Sequence, residues 1–198
     1  CLKELNNNSY NHFFPVNPFL GYREESNLKN DNNFELVSEN SIQKSCEILM
    51  RGEILASFSG KAEYGSRALG NRSILASPSK VNMRDFLNAD IKHREKFRPF
   101  APIILEETFQ NHFSKEYSEV CFMTECIKCS SEFQKNSPAA VHVDGTCRVQ
   151  IAKKNKVNDY ILEILTYLKQ KHNLLAIINT SLNNAGEPIV NNIKDLKN

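Results

Sequence analysis

A short, uninterrupted apolar run from Leu174 to Ile178 is the feature that most constrains how this chain can fold. Such a run is typical of a strand buried in the centre of an α/β sheet. It leads into a polar cluster consisting of Asn179, Thr180, Ser181 and Asn183. Polar side chains at the point where a buried strand emerges are the usual place for a ligand site in α/β folds. The sequence therefore predicts an α/β fold with a binding site at this end of the strand.

Hydrophobic spacing predicts several elements around this strand. Helices are predicted over 40–51 and 158–172, and a third should begin at Ser77 and Pro78 and end by about residue 97, ahead of Pro99. Alternation over Ile54, Ala56 and Phe58 predicts a half-buried strand, and Ile103 to Leu105 predicts another. The glycines between residues 60 and 73 predict a loop-rich segment.

Residues 139–152 are predicted to form a β-hairpin around Asp144-Gly145, a strong hairpin signal. Valine and isoleucine residues share one parity in this segment. The opposite parity carries His142, Asp144, Arg148 and Gln150. Strand geometry would place these four polar side chains on one face. They are either a solvent-facing surface or part of a binding site.

The distribution of charge is more informative than its total. The formal net charge is +2, so bulk charge gives no support to nucleic-acid binding. Basic residues cluster in or beside turns marked by glycine or proline: Arg67, Arg72, Lys92, Arg94, Arg98 and Arg148. Arginines in such places often hold phosphate or carboxylate groups. A solvated basic surface is the alternative for any one of them.

Three cysteines, Cys121, Cys126 and Cys129, have the C-x4-C-x2-C spacing of an iron–sulfur site, with Cys147 as a candidate fourth ligand. The intervening residues resemble ordinary core positions and lack the small residues that let a backbone wrap a cluster. Scattered reduced thiols are the favoured interpretation, and no tightly bound metal is expected.

Common nucleotide-binding and hydrolase motifs are absent from the sequence. It contains no Walker-type phosphate loop, no G-x-G-x-x-G after a strand and no G-x-S-x-G elbow. The five histidines include no H-x-x-x-H pair. The residues alone therefore predict an α/β domain that binds a phosphorylated small molecule.

Four motif blocks extend this interpretation. They are Gly60-x-x-Glu63-Tyr64-Gly65-x-Arg67-Ala68-Leu69-Gly70-Asn71-Arg72-Ser73-Ile74-Leu75, Asn88-x-x-Ile91-Lys92-x-Arg94-Glu95-x-Phe97-Arg98-Pro99-Phe100-Ala101-Pro102, His142-x-Asp144-Gly145-Thr146-x-Arg148-x-Gln150 and Asn179-Thr180-Ser181-x-Asn183-x-x-Gly186-Glu187-Pro188-Ile189-Val190. Together they resemble the C-terminal domain of the NodU-type O-carbamoyltransferases. The resemblance runs from about Phe19 to Val190.

The resemblance implies a YrdC-like open, twisted, mixed β-sheet flanked by helices. It also implies formation of carbamoyl adenylate from ATP, accompanied by Mg2+, and carbamoyl phosphate. The expected catalytic residues are Lys92, Arg98 and Arg148. The expected substrate- and ATP-binding residues are Arg67, Arg72, Arg94, His142, Asp144, Asn179, Thr180, Ser181 and Asn183. Arg94 could instead be a structural ion-pair partner.

The resemblance further implies an N-terminal, actin-like transferase domain in the same polypeptide, which would pass the carbamoyl group to a hydroxyl acceptor. We expect residues 1–37 to be an irregular arm or interdomain segment and 38–198 to be the YrdC-like domain. The sequence shows no signal peptide or membrane span, so a cytoplasmic location is expected. Two alternatives stay open: a threonylcarbamoyl-adenylate-type synthase, and a non-enzymatic module that binds a nucleotide or RNA.

Overall fold

The computed structural model describes residues 18–23, 40–65, 67–114, 122–154 and 157–197. Of the predicted N-terminal arm, the described part is 18–23, which runs beside residues 61–64. There the Gly21 amide donates to the Ala62 carbonyl at 3.0 Å, and the Ala62 amide donates to the Tyr22 carbonyl at 2.8 Å. The rest of the arm, and Cys121, lie outside the described residues. Within the described ranges, no helix has the length and apolar character needed to cross a membrane.

A five-stranded mixed sheet forms the centre of the fold. The strands of the described chain are β1 (Ile54–Phe58), β2 (Arg72–Ala76), β3 (Ala101–Leu105), β4 (Ile127–Lys128), β5 (Thr146–Cys147), β6 (Gln150–Ala152) and β7 (Ala176–Ser181). Five of them pair in the order β1-β2-β7-β3-β6, with β3 and β6 parallel and the other neighbours antiparallel. β4 and β5 form a separate antiparallel pair. The predicted open mixed α/β sheet is confirmed.

Helices flank this sheet. They are α1 (Ser41–Arg51), α2 (Asn82–Phe86), α3 (Glu106–His112), α4 (Ser131–Asn136), α5 (Asp159–His172) and α6 (Ile193–Lys197), with a π-helical turn over Leu87–Ile91 and a 3-10 turn over Pro138–Ala140. The helices predicted over 40–51 and 158–172 are confirmed as α1 and α5. Gly52 ends α1 with a φ of 84°, and the Asn158 side chain caps α5 by accepting from the Tyr160 amide at 2.9 Å.

Both faces of β7 are covered, which explains its continuous apolar sequence. Ile177 packs with residues of α1 and α5 on one side. Ala176 packs with phenylalanines of α3 and α4 on the other side, and Ile178 packs there against α2 and its π-helical continuation. The apolar run therefore forms a central strand, as predicted, although the strand starts at Ala176 and continues to Ser181.

The prediction that Ser77 and Pro78 begin a helix is wrong. The Ser77 hydroxyl lies 3.0 Å from that of Ser79 within a turn, and the helix starts four residues beyond Pro78, at Asn82. It ends as a π-helical turn at Ile91, well before residue 97. The chain then turns sharply, and the side chain of Asn88 supports that turn.

The predicted β-hairpin over 139–152 is also wrong. The chain does reverse at Asp144-Gly145, where the Gly145 amide donates to the His142 carbonyl at 3.0 Å. However, β5 pairs with β4, and β6 joins β3 in parallel. The expected alternation fails accordingly: Val143 is fully exposed and Gln150 is fully buried.

The strand β2 was not predicted, because it begins with Arg72 and Ser73 inside a segment that resembles a loop. All five of its residues are buried. The predicted strand over 54–58 is confirmed as β1, but its buried residue is Ser57, whereas Ala56 is exposed.

Candidate functional site

A cavity of about 530 Å³ lies where β7 ends and β3 begins. Five segments that are far apart in the sequence form its wall, namely parts of 67–68, 94–101, 123–126, 142–148 and 179–181. β7 lies between β2 and β3 in the sheet, which brings the loops adjoining these strands together. The position at the end of a central strand agrees with the site predicted from the apolar run.

Most of the predicted site residues meet at this cavity. Those on its wall are Arg67, Arg94, Arg98, His142, Arg148, Asn179, Thr180 and Ser181. Those away from it are Arg72, Lys92, Asp144 and Asn183. Arg72 and Asn183 line a second cavity of about 480 Å³, which shares Ser181 with the first.

The described wall of the first cavity carries four arginines and no carboxylate. Burial, and then the positive charge of Arg98, lower the pKa of Arg94 from its ordinary value, so the cations act on one another. Arg98 pairs with Glu95 at 2.8 Å, but both side chains are about half exposed (52% and 53%). A solvated ion pair is weak, which leaves the guanidinium able to exchange this partner for a ligand. The electrostatics favour an anion with several oxygens.

Arg94 is held in place from two sides. Its Nε donates to Asn88 Oδ1 at 2.7 Å, and its guanidinium carbon lies 4.7 Å from the centre of the Phe100 ring. Asn88 is fully buried and also donates to the carbonyls of Lys96 and Arg98 at 3.1 and 2.9 Å. One asparagine therefore fixes both Arg94 and the turn that presents Arg98. The suggested ion-pair role for Arg94 is replaced by these contacts.

Lys92 lies under the polar end of β7. Its Nζ donates to the Ser181 carbonyl at 2.5 Å and to Asn183 Oδ1 at 2.8 Å, while Ser181 Oγ donates to the same Oδ1 at 2.6 Å. The residue is buried, and burial, followed by the charge of Arg94, lowers its pKa to about 8. Lys92 therefore orders Ser181 and Asn183.

The loop that carries Arg67 is fastened by the carboxylate of Glu63. Its Oε1 accepts from the amides of Leu69 and Asn71 at 2.6 and 2.8 Å, with a longer contact of 3.4 Å to the amide of Arg72. A carboxylate that collects backbone donors forms strong, charge-assisted hydrogen bonds. Glu63 thus fixes the conformation of this segment of the cavity wall.

Arg72 was expected in the anion site, but its guanidinium donates hydrogen bonds to backbone carbonyls. Its Nη1 donates to the carbonyls of Ser59 and Asn71 at 2.7 and 3.0 Å, and its guanidinium carbon lies 3.8 Å above the Phe58 ring. The residue is completely buried. These contacts tie the loop after β1 to the start of β2, which is a structural role.

His142 belongs to a short hydrogen-bonded chain. Its Nδ1 lies 2.9 Å from Thr146 Oγ1, and that hydroxyl donates to Asp144 Oδ1 at 2.7 Å. The hydroxyl and amide of Thr146 lower the pKa of Asp144, so Asp144 is a carboxylate at neutral pH. Burial and, to a smaller extent, Arg148 lower the pKa of His142, against an opposing effect of Asp144. Asp144 therefore orients the His142 ring through Thr146 and lies off the cavity wall.

Asn179 is fixed by its neighbours in the sheet. Its Nδ2 donates to the Ala68 carbonyl and to Gln150 Oε1, both at 2.8 Å, and Gln150 Nε2 donates to the Leu69 carbonyl at 2.6 Å. Gln150 was predicted to share a strand face with His142, but it lies buried between the sheet and the loop of Arg67.

Residue-by-residue reasoning missed the roles of Glu63, Asn88 and Gln150, each of which orders part of the wall. The available signal was a polar residue flanked by core positions, such as Asn88 beside Leu87. Such a residue needs buried partners.

The interpretation of the cysteines as scattered reduced thiols without a tightly bound metal stays a prediction. Cys126 lies on the cavity wall, and the sulfurs of Cys129 and Cys147 are 3.6 Å apart. Over the described parts of the chain, no group of three or more histidine, cysteine or acidic residues is arranged to hold a metal ion. Cys121 falls outside those parts.

Comparison with known proteins identifies the family of the chain. Residues 46–198 match the family described as Carbamoyltransferase C-terminus. The nodulation protein NolNO of Sinorhizobium fredii is 36% identical over 154 residues, which are 77% of this chain and 22% of that protein. Nodulation protein U of the same organism is 36% identical over 146 residues, or 74% of this chain and 26% of that protein.

An uncharacterized protein of Methanocaldococcus jannaschii is 36% identical over 176 residues, which are 86% of this chain and 29% of that protein. The chain thus spans between about a fifth and a third of the length of these relatives. Residues 46–198, which match the family, include all five segments of the cavity wall. This chain belongs to the NodU-type carbamoyltransferase family and corresponds to its C-terminal region.

Proposed function

We propose that the arginine-lined cavity binds ATP and carbamoyl phosphate and forms carbamoyl adenylate for transfer to a hydroxyl acceptor. The observation that carries this proposal is a wall with four arginines and no carboxylate among its described residues, in a chain of a carbamoyltransferase family. Both substrates are polyanions, and bidentate guanidinium groups match phosphate oxygens. The cavity volume of about 530 Å³ falls within the range of small-molecule sites.

The proposed chemistry consumes one water for each turnover. Water cleaves the phosphoryl group from carbamoyl phosphate and leaves carbamate and inorganic phosphate. A carbamate oxygen then attacks the α-phosphorus of ATP, and the bond to the β,γ-pyrophosphate breaks. The products are carbamoyl adenylate, phosphate and pyrophosphate. Negative charge moves between phosphoryl oxygens in both steps, so positioning and fixed cations supply most of the catalysis.

Arg98 and Arg148, both exposed on the wall, would hold the phosphates and stabilise the developing charge. Arg67 and Arg94 would supply the other two cations of the wall. Lys92 would act through Ser181 and Asn183, because its ammonium lies beneath them and away from the wall. We therefore assign Lys92 as a positioning residue.

Magnesium enters this proposal as part of the Mg–ATP substrate. The described wall offers amide and hydroxyl oxygens from Asn179, Thr180 and Ser181 but no carboxylate. Mg2+ is usually held by carboxylates together with substrate phosphates, so here the ATP phosphates would hold it. An N-terminal domain of the same polypeptide would complete the transfer, consistent with the small share of its relatives that this chain spans.

The test is pyrophosphate release from Mg–ATP, with and without carbamoyl phosphate, by the chain and by the polypeptide that contains it. Release that depends on carbamoyl phosphate is expected. Bicarbonate with threonine replaces carbamoyl phosphate in a parallel reaction, and release in that reaction alone would favour the threonylcarbamoyl-adenylate alternative.

Two variants each remove one arginine, the first on the cavity wall and the second on the surface at the end of α1. Arg148→Ala should reduce carbamoyl phosphate-dependent release at least tenfold. Arg51→Ala removes the same charge from the far end of α1, where Arg51 pairs with Glu53 in solvent, and should leave the rate unchanged. Equal rates for both variants and the unmodified protein would refute the assignment of the site.

A further inference from the structure

Two of the residues that line the cavity each have one buried polar atom with no hydrogen-bond partner among the described residues. They are Nε2 of His142 and Oδ1 of Asn179. Asn179 is only 3% exposed. Leaving a buried polar atom unpaired costs about 1–3 kcal/mol, so such atoms call for a structural or functional reason. Because both residues line the same cavity, a ligand bound there is a candidate partner for both atoms.

The hydrogen-bonded chain behind His142 determines the character of its free nitrogen. The Thr146 hydroxyl has one proton, which it donates to the carboxylate of Asp144, so its oxygen accepts from His142 Nδ1–H. A neutral imidazole that carries its proton on Nδ1 has a lone pair on Nε2. Burial favours the neutral ring. His142 therefore presents a hydrogen-bond acceptor.

The neighbours of Asn179 determine the orientation of its amide in the same way. Both hydrogens of Nδ2 have acceptors, the Ala68 carbonyl and Gln150 Oε1. The orientation of Gln150 is fixed in turn by its bond to the Leu69 carbonyl. Rotating the Asn179 amide by 180° would break two bonds, so Oδ1 stays an acceptor.

The wall thus combines four cationic donors with two fixed acceptors. An anion satisfies the arginines but gives no hydrogen to the acceptors. A ligand that satisfies both must join an anionic group to an N–H2 group, and a carbamoyl group attached to phosphate does so within a few bonds. We propose that Asn179 Oδ1 and His142 Nε2 accept the two hydrogens of the carbamoyl amino group and so select carbamoyl over other acyl phosphates. This inference rests on the proposed function.

A methyl group in place of the amino group would leave both acceptors unpaired. Sites built to hydrogen-bond a substrate reject analogues that lack the group strongly, because the buried partners remain unsatisfied. We expect a preference of at least about 30-fold from two neutral hydrogen bonds. His142 and Asn179 would then be specificity-determining residues, and Thr146 would be a positioning residue.

The test uses two stable phosphonates that differ only in this group. Phosphonoacetamide carries the amino group, and acetonylphosphonate carries a methyl group in its place. Calorimetry measures both affinities in the presence of a non-hydrolysable ATP analogue, for the unmodified chain, His142→Phe and Thr146→Val. His142→Phe should reduce the preference at least tenfold. Thr146→Val should reduce it about threefold, because the Thr146 hydroxyl no longer keeps the His142 proton on Nδ1.

Three results would overturn the inference, and they have different meanings. Equal binding of the two phosphonates by the unmodified chain would refute amino-group recognition while leaving the proposed function intact. A loss of ATP-analogue affinity in His142→Phe, with the phosphonate preference retained, would assign the acceptors to the adenine amino group. Failure of the unmodified chain, and of the polypeptide containing it, to bind either phosphonate or the ATP analogue would refute the proposed function itself.

Discussion

Arg72 and Arg148 offer a comparison between two arginines that sequence alone assigns to the same anion site. Arg72 is completely buried, whereas Arg148 is exposed on the cavity wall. Replacing each with methionine removes the guanidinium and keeps most of the apolar side chain. We expect Arg72→Met to lower stability and Arg148→Met to lower anion affinity.

The magnitude for Arg72 follows from its contacts. Its two shorter hydrogen bonds, to the carbonyls of Ser59 and Asn71, are worth about 1.5–3 kcal/mol each as bonds from a charged donor. The guanidinium above Phe58 adds about 1–2 kcal/mol. Removing a buried charge also relieves its desolvation cost, which offsets part of this loss. We expect a net fall of about 2–4 kcal/mol in the free energy of unfolding.

Urea denaturation measures that fall directly, and thermal unfolding should show a decrease of roughly 5–15 °C for a chain of this size. Arg148→Met should change the free energy of unfolding by less than about 0.5 kcal/mol, as is usual for exposed positions. Calorimetry with ATP supplies the second readout. The reasoning fails if folded Arg72→Met keeps its stability within about 1 kcal/mol and loses ATP affinity as strongly as Arg148→Met does.

Further predictions concern protonation and the fastening of the loop. Because the pKa of Lys92 is lowered to about 8, its folded form loses a proton before the unfolded form does. Raising the pH from 8 towards 10.5 should therefore weaken ATP binding, measured by calorimetry, and should increase the contribution of Lys92 to the free energy of unfolding, measured by denaturation. Lys92→Met should abolish both trends. Burial lowers the pKa of His142 below its ordinary value, and the charged groups that act on it are Asp144 and Arg148. The preference for phosphonoacetamide should therefore persist at pH 6.5 and fall only in more acidic solution. Once each affinity is corrected for the measured ionisation of its phosphonate, the ratio of the two affinities isolates this effect, and a ratio that halves at pH 6.5 would contradict it. Glu63→Ala should cost about 2–4 kcal/mol of stability and speed hydrogen exchange at the amides of Leu69 and Asn71, with unchanged exchange as the contrary result.

The elements that could be predicted are those whose local pattern and tertiary environment agree. The apolar stripe of α5 packs against the sheet as its period requires, with Ile161, Ile164, Leu165 and Leu168 all buried. β7 reads as a central strand because both of its faces are covered. In these cases hydrophobic burial dominates, and burial leaves a periodic trace in the sequence.

The errors arise where partners distant in sequence decide the outcome. Asp144-Gly145 does form a tight turn, because turn chemistry is local. Which strands flank the turn depends on β3 and β4, which lie elsewhere in the chain. The helix expected from Ser77 is an exception with a local cause, because the Ser77 hydroxyl bonds to Ser79 within a turn and does not cap a helix amide.

The site residues also divide into those that could be predicted from the sequence and those whose role depends on the fold. Eight of the residues expected from the motif blocks lie on one cavity wall, because a resemblance to a family carries three-dimensional information that residue types lack. Nothing in the chemistry of arginine distinguishes a guanidinium that binds phosphate from one that binds backbone carbonyls, as Arg72 does, since both acceptors are oxygens. Burial and partners separate them, and these follow from the fold.

The concentration of positive charge explains why neighbouring residues hold so many side chains of the wall in place. Four cations that repel one another would spread apart if their side chains were free. Asn88 and Phe100 hold Arg94, and Glu63 holds the loop of Arg67. Asn179 is likewise locked by Gln150. Folding thus includes the cost of bringing like charges together, so the polyanionic ligand proposed here would gain the attraction of the cations without having to order them.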